Sequence, residues 1–560
     1  MNAFGLTLWD WIVLAVYLAG ITCIGLYAAR YVKDTADYFL AGRRFRKTFM
    51  LFFTFGAGTH SDQAVSVASK TYTDGLSGIW YQWFWLFNTP FYWLFPPIFR
   101  RMRALTTADF FDLRYAKSVA ALFAFVGIFQ TVVNLGTMLK GCGSMITAVS
   151  GGSINEIAAV VVVTILFMVY GIAGGLSAAI LTDFVQGILT ICLSFLVLPF
   201  ALQAVGGIAG LKETINNPQM FSLVVPGGIG VFYITMITIN GLVGIVTQPH
   251  VMGTCAAGQT EMDVRVGFCY GNMLKRVCTV AWTLTGLCAI AMYPGLSTKL
   301  QIDQTYGLMA RDLLPLILPG LVGLFIASLL ATVMSSCDAW MIACSALFTE
   351  NVYKPFFAPN KSEPHYVKVG RIVAGLIVLN GILVAFSLDS VIDGLELFWK
   401  IQAMMGIAFW VGLFWRRATV AAAWTSTLAA FGALLYTHFY PNHFPEIMLY
   451  NGGLYLPYQM VIYLTVGLIT MIVVSLYTKR VDSSKLDKLH RALHTPVAPN
   501  EHPTEPFEVP EDSQPEPIRK IINHPDWEIG WPSRIDIIGF IIAWILVAAL
   551  IGTVYWIAGM

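Results

Sequence analysis

The sequence predicts an all-α, polytopic membrane protein with about fourteen transmembrane helices. Of its 560 residues, 57% are hydrophobic and only 12% are charged, and the mean hydropathy is +0.68. A soluble domain carries about 25% charged residues. Apolar runs of about 20 residues, each long enough to span a bilayer, recur along the whole chain. The net charge of +2 gives no basic excess to hold nucleic acid. The nine cysteines lie in or beside apolar runs without a CxxC pair, and read as small buried hydrophobes rather than a disulfide or metal framework. The N-terminus lacks a basic stretch before its first apolar run, so that run is expected to remain as a helix.

Taken in order, the expected spans cover residues 8–29, 48–69, 78–100, 119–148, 154–174, 179–205, 228–253, 268–294, 315–349, 367–388, 392–415, 418–439, 456–478 and 535–558. Pro and Gly interrupt the third and the seventh. The remaining long polar segment, 480–534, is rich in Pro, Glu and Asp and is expected to be mostly disordered, with a short interfacial helix at "SSKLDKLHRALH". His490 and His494 stand four apart in that segment and read as solvated. Of the 34 Lys and Arg, 26 fall in or beside the segments on the side of this long loop. The positive-inside rule then places the loop in the cytoplasm and both termini outside a cell membrane, plasma or inner.

Two spans look discontinuous. The second carries "GAGTHSDQ", and the seventh is expected to break around Asn240, Gly241 and Gly244. Paired broken helices at matching positions of two repeats are how transporters build midplane binding sites. The breaks lie five spans apart, an odd number, so the repeats have opposite topology. This divides the chain into an extra helix and first cytoplasmic loop (1–47), a transport core (48–415), peripheral helices (416–479), the cytoplasmic Pro- and acid-rich loop (480–534) and a C-terminal helix (535–560). Repeat one covers 48–205 and repeat two 228–415. A monovalent cation suits neutral oxygen ligands. Thr332, Ser335 and Ser336 present hydroxyls at i, i+3 and i+4 on one face of span 9, with Asp338 beside them. Solute candidates between the breaks are Gln63, Gln82, Asn240 and Gln402, whose amides suit a polar neutral compound.

At "ADYFLAGRR" (36–44), "LTTADFFDLRY" (105–115), "YGIAGGLSAAILTDFVQ" (170–186), "QPHVM" (248–252) and "FWRRATVAAAW" (414–424), the chain resembles the sodium:solute symporter family of sodium/glucose, proline and sialic acid transporters. The resemblance covers nearly the whole chain. It implies the leucine-transporter-like fold of five-plus-five inverted repeats, with one helix before the core and three after, and Na+ as the coupling ion. By position it implies a sodium site from the carbonyls of Gly56, Thr59 and Thr332 and the hydroxyls of Ser335 and Ser336. It implies a second sodium or coupling group at Asp183 and Asp338, with Ser335. For Asp183 a helix-start role stays open as well.

The resemblance also places Gln63 against solute and makes Lys275 a pocket candidate, although Lys275 is expected to snorkel to the surface. The tryptophans from Trp80 to Trp85 read as a solute stack, a gate or interfacial anchors. Glu396 and Lys400, at i and i+4, can neutralise each other. His60 and Asp62 depart from the glycines of sodium/glucose members. The expected activity is sodium-coupled import of a small polar organic solute, a sugar or related compound. An amino acid, or an organic acid such as a sialic-acid-like anion, is the alternative. A membrane sensor or channel is the distant third, and no enzyme is expected.

Overall fold

A computed structural model describes residues 4–30, 35–43, 45–226, 228–450, 452–498, 501 and 505–559. The fold is all-α apart from a two-residue hairpin pairing Leu449–Tyr450 with Gly453–Leu454. The first helix, α1 (Leu8–Ala29), opens on a capping box between Thr7 and Asp10. Asp10 does double duty, because its Oδ1 also accepts the Gly323 amide at 2.7 Å and so ties α1 to the start of a central helix.

Among the described residues, ten helices are long and apolar enough to cross a membrane, or eleven if one bent pair is counted. The chain is therefore a multi-pass membrane protein. Four of the fourteen expected spans fall outside that count, three of them for physical reasons. The second is cut at Thr59–His60 into α2 (Lys47–Gly58) and α3 (Ser61–Asp74). The third is a series of short pieces, among them α4 (Trp80–Asn88), broken where Pro90 and Pro96 remove backbone donors.

Of the fifth span only Glu156–Met168 bears on that count among the described residues, while the backbone continues as α6 (Glu156–Leu196) after α5 (Lys117–Val149). Gly175 kinks α6 at φ 58°, where a side chain would also strike Tyr38 O at 2.5 Å. The seventh span is the bent pair: α7 (Val231–Gly244), one 3₁₀ turn to Thr247, then α8 (Pro249–Ala257), with a 64° bend. The break thus falls at Gln248, not around Asn240 to Gly244. Pro249 forces the residue before it out of the helical region, and Gln248 is extended (φ −69°, ψ 121°). Gly241 and Gly244 instead allow close packing, the first on Asn88 and Phe84 and the second on Gln402.

Burial separates core from rim. The window in residues 321–356, which includes α10 (Leu321–Phe348), is 89% buried, whereas that of the last helix (Arg534–Gly559) is only 22% buried. Around α10 pack α1, α2, α5 and α6, and α9 (Glu261–Met292) lies along α2 and α3. The last helix turns Ile535, Ile538, Ile541, Ile542 and Ile545 outward, the composition of a lipid-facing surface.

The 480–534 segment departs from the expectation of disorder. Residues 499, 500 and 502–504 lie outside the described residues; the start of the segment and the strip around Trp527 pack on the core, whereas 511–525 is mostly exposed coil. Its helix (Ser483–His494) buries Leu486, Leu489 and Leu493. Farther on, Trp527 pairs with Trp415 in an antiparallel bridge. Several of its acids are counterions. Glu501 meets the buried Arg103, Glu516 meets Arg101 at 3.2 Å, and Glu528 meets Arg416 at 2.6 Å. His490 is accordingly buried rather than solvated.

Candidate functional site

The break at Thr59–His60 leaves the carbonyls at the end of α2 short of helical donors, and among the described residues only Gly56 O keeps a local amide, that of Thr59 at 3.1 Å. Gly56 and Gly58 supply no side chains here, so neighbours come close enough to serve instead. Ser336 Oγ lies 3.0 Å from Gly56 O and 3.3 Å from Thr59 O, spanning both. Trp340 Nε1 donates to Ala57 O at 3.3 Å. Lys275 Nζ donates to Gly58 O, as does Gln63 Nε2 at 3.2 Å. All four carbonyls from 56 to 59 therefore meet donors from α3, α9 or α10.

Several sequence candidates converge on this point. A Cβ on Gly56 would stand 2.5 Å from Ser335 Oγ and 3.4 Å from Asp183 Oδ2, so α2, α6 and α10 meet there in van der Waals contact. Ser335 and Asp183 are fully buried, and Ser335 Oγ and both Asp183 oxygens lack a hydrogen bond of good geometry among the described residues. Thr59 Oγ1 is likewise unpaired. The Thr332 hydroxyl is occupied with Leu329 O at 2.6 Å, which leaves its carbonyl as the group to consider. Asp338 points to the other side of the Gly175 kink, with Oδ1 against the backbone of Gly171.

Beside the hinge lies a narrow cavity of about 50 Å³. Gln63 and Gln82 line it, together with Trp85, Trp340 and Trp399. Several buried polar atoms on its wall have no partner among the described residues: Gln82 Oε1, Asn134 Oδ1 and Nδ2, His60 Nε2 and His250 Nδ1. Such atoms are costly to leave dry, and they offer both donors and acceptors to a bound solute. Within the hinge, Gln63 also accepts from the His60 amide at 3.4 Å.

Two solute candidates lie elsewhere. Asn240 is spent on packing, donating to Trp399 O at 2.8 Å and accepting from Tyr463 OH at 2.6 Å. Gln402 holds the second break: its Oε1 accepts from Gln248 Nε2 at 2.7 Å and its carbonyl from Thr247 Oγ1 at 2.6 Å. Lys275 does not snorkel. It is buried at the cavity wall because the Gly58 carbonyl gives its ammonium a partner. Glu396 bonds Tyr81 OH at 2.9 Å rather than Lys400. The aromatic run divides its work: Trp80 and Trp83 bond the carbonyls of Leu223 and Arg276, and Trp85 faces the cavity. Asn134 and His250 escaped the sequence reading. A lone mid-helix asparagine carries no local signal, and His250 sat inside a stretch read only for its likeness to relatives.

A broken helix whose carbonyls are met by Ser336, Trp340, Lys275 and Gln63 beside a cavity is an arrangement suited to a membrane transporter, and the comparisons agree. Residues 38–429 match the sodium:solute symporter family, and the chain belongs to that family of sodium-coupled solute symporters. The sodium/glucose cotransporter of Vibrio parahaemolyticus is 25% identical over 499 residues, covering 80% of this chain and 88% of the relative. The osmoregulated proline transporter OpuE of Bacillus subtilis (strain 168) is 26% identical over 421 residues, covering 72% and 83%. The sodium/pantothenate symporter of Haemophilus influenzae is 26% identical over 452 residues, covering 75% and 89%. Among solved structures, a substrate-bound, outward-open Na+-coupled sialic acid symporter shares the fold, with a TM-score of 0.72 at 18% identity over 85% of this chain and 99% of that one.

Proposed function

We propose that the protein imports a small polar organic solute, a sugar or related compound, with sodium and by alternating access. The observation that carries this reading is the Ser336 hydroxyl between the carbonyls of Gly56 and Thr59, at a helix break that borders a polar cavity. Sodium is held there by the carbonyls of Gly56, Thr59 and Thr332 and the hydroxyls of Ser335 and Ser336. On binding it, Ser336 turns a lone pair where it now donates, and α2 stays locked against α10. Asp183 and Asp338 serve a second sodium or the coupling step. Gln63 and Gln82 contact solute, with Asn134 added by its unpaired amide.

Ion and solute share the hinge, so each raises the affinity of the other by the same factor. One charge crossing 100 mV supplies about 2.3 kcal/mol, and a tenfold sodium gradient about 1.4 kcal/mol. Together these concentrate a neutral solute roughly 500-fold. The architecture in this reading is fourteen spans around a five-plus-five inverted repeat, the broken helices each counting as one span. Both termini lie outside a cell membrane and the 480–534 segment lies in the cytoplasm, as supported by the Lys and Arg asymmetry.

A second reading, an amino acid or organic-acid solute, is favoured by one observation: Lys275 and Arg276 both border the cavity. The relatives named for proline and pantothenate carry that reading too. The test is thermal stabilisation of the purified protein by a panel of sugars, amino acids and organic acids, in sodium and then in choline. Stabilisation by one class in sodium alone is expected. Equal stabilisation in choline overturns sodium coupling, and the class that stabilises decides between the two solutes.

A further inference from the structure

The 480–534 segment gathers a set of metal-type donors that the transport site does not use. His490 and His494 stand one turn apart on the helix Ser483–His494, so their rings leave the same face. Glu528, from the strip that pairs with Trp415, lies against them. One donor atom from each of the three residues falls within 4.8 Å of the other two. His490 is only 3% exposed, and its Nε2 has no hydrogen-bond partner among the described residues. A buried ring nitrogen in that condition is unfavourable unless something fills the place beside it.

The ion pairs around the cluster converge on one oxygen of Glu528. Arg416 and Lys520 approach, but Arg416 is shared between Asp487 Oδ1 at 2.6 Å and Glu528 Oε1 at 2.6 Å. Lys520 meets the same Glu528 Oε1 at 3.1 Å. Two cations thus face two carboxylates, and both reach Glu528 through Oε1, leaving Oε2 for a third partner.

We propose that His490, His494 and Glu528 form a binding site for a zinc-class divalent metal ion. Two imidazoles and a carboxylate are a donor set that zinc accepts, with a fourth position left for water. Bonds of about 2.0–2.2 Å place tetrahedral donors roughly 3.3 Å apart, so donors now within 4.8 Å of one another draw closer when the metal binds. The site has a mechanical meaning. The helix Ser483–His494 and the strip around Glu528 both grip Arg416, just past the core helix Gly406–Phe414. A metal joining them fastens this extramembrane segment to the end of the core. Hard ions such as magnesium, which prefer oxygen ligands, do not fit the two imidazoles.

The test uses full-length protein in detergent, with any affinity tag removed, stripped with EDTA and equilibrated with zinc alone or magnesium alone. One zinc per chain is expected by elemental analysis after gel filtration, with a raised melting midpoint that EDTA reverses and magnesium does not reproduce. Loss of an outer partner weakens metal sites about 10- to 100-fold, so loss of two direct ligands in H490Q/H494Q is expected to weaken zinc by about 100-fold or more. E528Q keeps an acceptor for Arg416 and reads the third ligand even if the double variant folds poorly. H524Q, at an exposed histidine, keeps its zinc. Zinc no higher than the magnesium control overturns the proposal. So does one zinc per chain persisting in E528Q and in H490Q/H494Q, which would mark the metal as adventitious.

Discussion

A single methyl group at Gly56 separates an ion site from ordinary helix packing. In Gly56→Ala the new Cβ would lie 2.5 Å from Ser335 Oγ, 3.3 Å from Asp183 Cγ and 3.4 Å from Asp183 Oδ2. The Ser335 contact has to open to at least 3.0 Å. It does so either by turning the hydroxyl away from Gly56 or by parting α2 from α10. Both routes remove a proposed ligand from the sodium position, so the cost falls mainly on the ion-bound form. Overpacking of one methyl costs about 1–3 kcal/mol, which corresponds to roughly 5- to 150-fold weaker sodium binding. The assay is a sodium titration of the melting midpoint. Its control is Gly432→Ala, on the peripheral helix Val420–Phe439, where a Cβ meets nothing within 4 Å and helix propensity adds up to about 1 kcal/mol of stability. A Gly56→Ala protein that folds and keeps the wild-type sodium midpoint would refute the ion-site reasoning, whatever the control does.

Three other outcomes follow from the same geometry. Ser336→Ala removes the donor shared by Gly56 O and Thr59 O; sodium affinity should fall on the order of tenfold, about 1.4 kcal/mol, and an unchanged sodium titration counts against it. Asn240→Leu strands Trp399 O and Tyr463 OH, at about 1–3 kcal/mol each. Its melting midpoint should drop while its sodium midpoint holds, and the reverse pattern would return Asn240 to the transport site. Asp303, on the loop helix Lys299–Asp303, is lifted by burial from 3.8 to about 6, against hydrogen bonds from the Val391 amide at 2.9 Å and Ser69 Oγ at 3.0 Å. Because the folded form holds the proton more tightly, this contribution of about 3 kcal/mol is complete below about pH 4 and is lost as the pH rises through about 6. The melting midpoint should therefore fall between about pH 4 and pH 6.5 and level off above, and Asp303→Asn should remove that component; an identical slope in the variant rules it out.

What could be read from the sequence was local. Gly56, Thr59, Ser335 and Ser336 announce themselves because glycines and hydroxyls cluster within one helical turn, and the structure brings these two clusters together. Asn240 and Gln402 misled because their partners are remote: Tyr463 lies 223 residues beyond Asn240, and Gln248 lies 154 residues before Gln402. Nothing in either neighbourhood reveals that the amides are already taken. The second break was misplaced for a related reason. Glycine was read as the weak point, while the chain bends at the residue that Pro249 constrains. The acidic segment at 480–534 was read by composition, which counts charges without knowing that arginines 100 and more residues away are waiting for them.

That pairing also sets a timetable for biogenesis. Arg103 is 1% exposed, and its guanidinium is matched to Glu501, 398 residues later. At about 5–20 residues per second, a ribosome takes about 20–80 s to bridge the interval. Through that time most of the membrane helices have emerged while a cation meant for the interior stays hydrated at the surface. This face of the bundle is therefore sealed late, when the last tenth or so of the chain arrives to neutralise it.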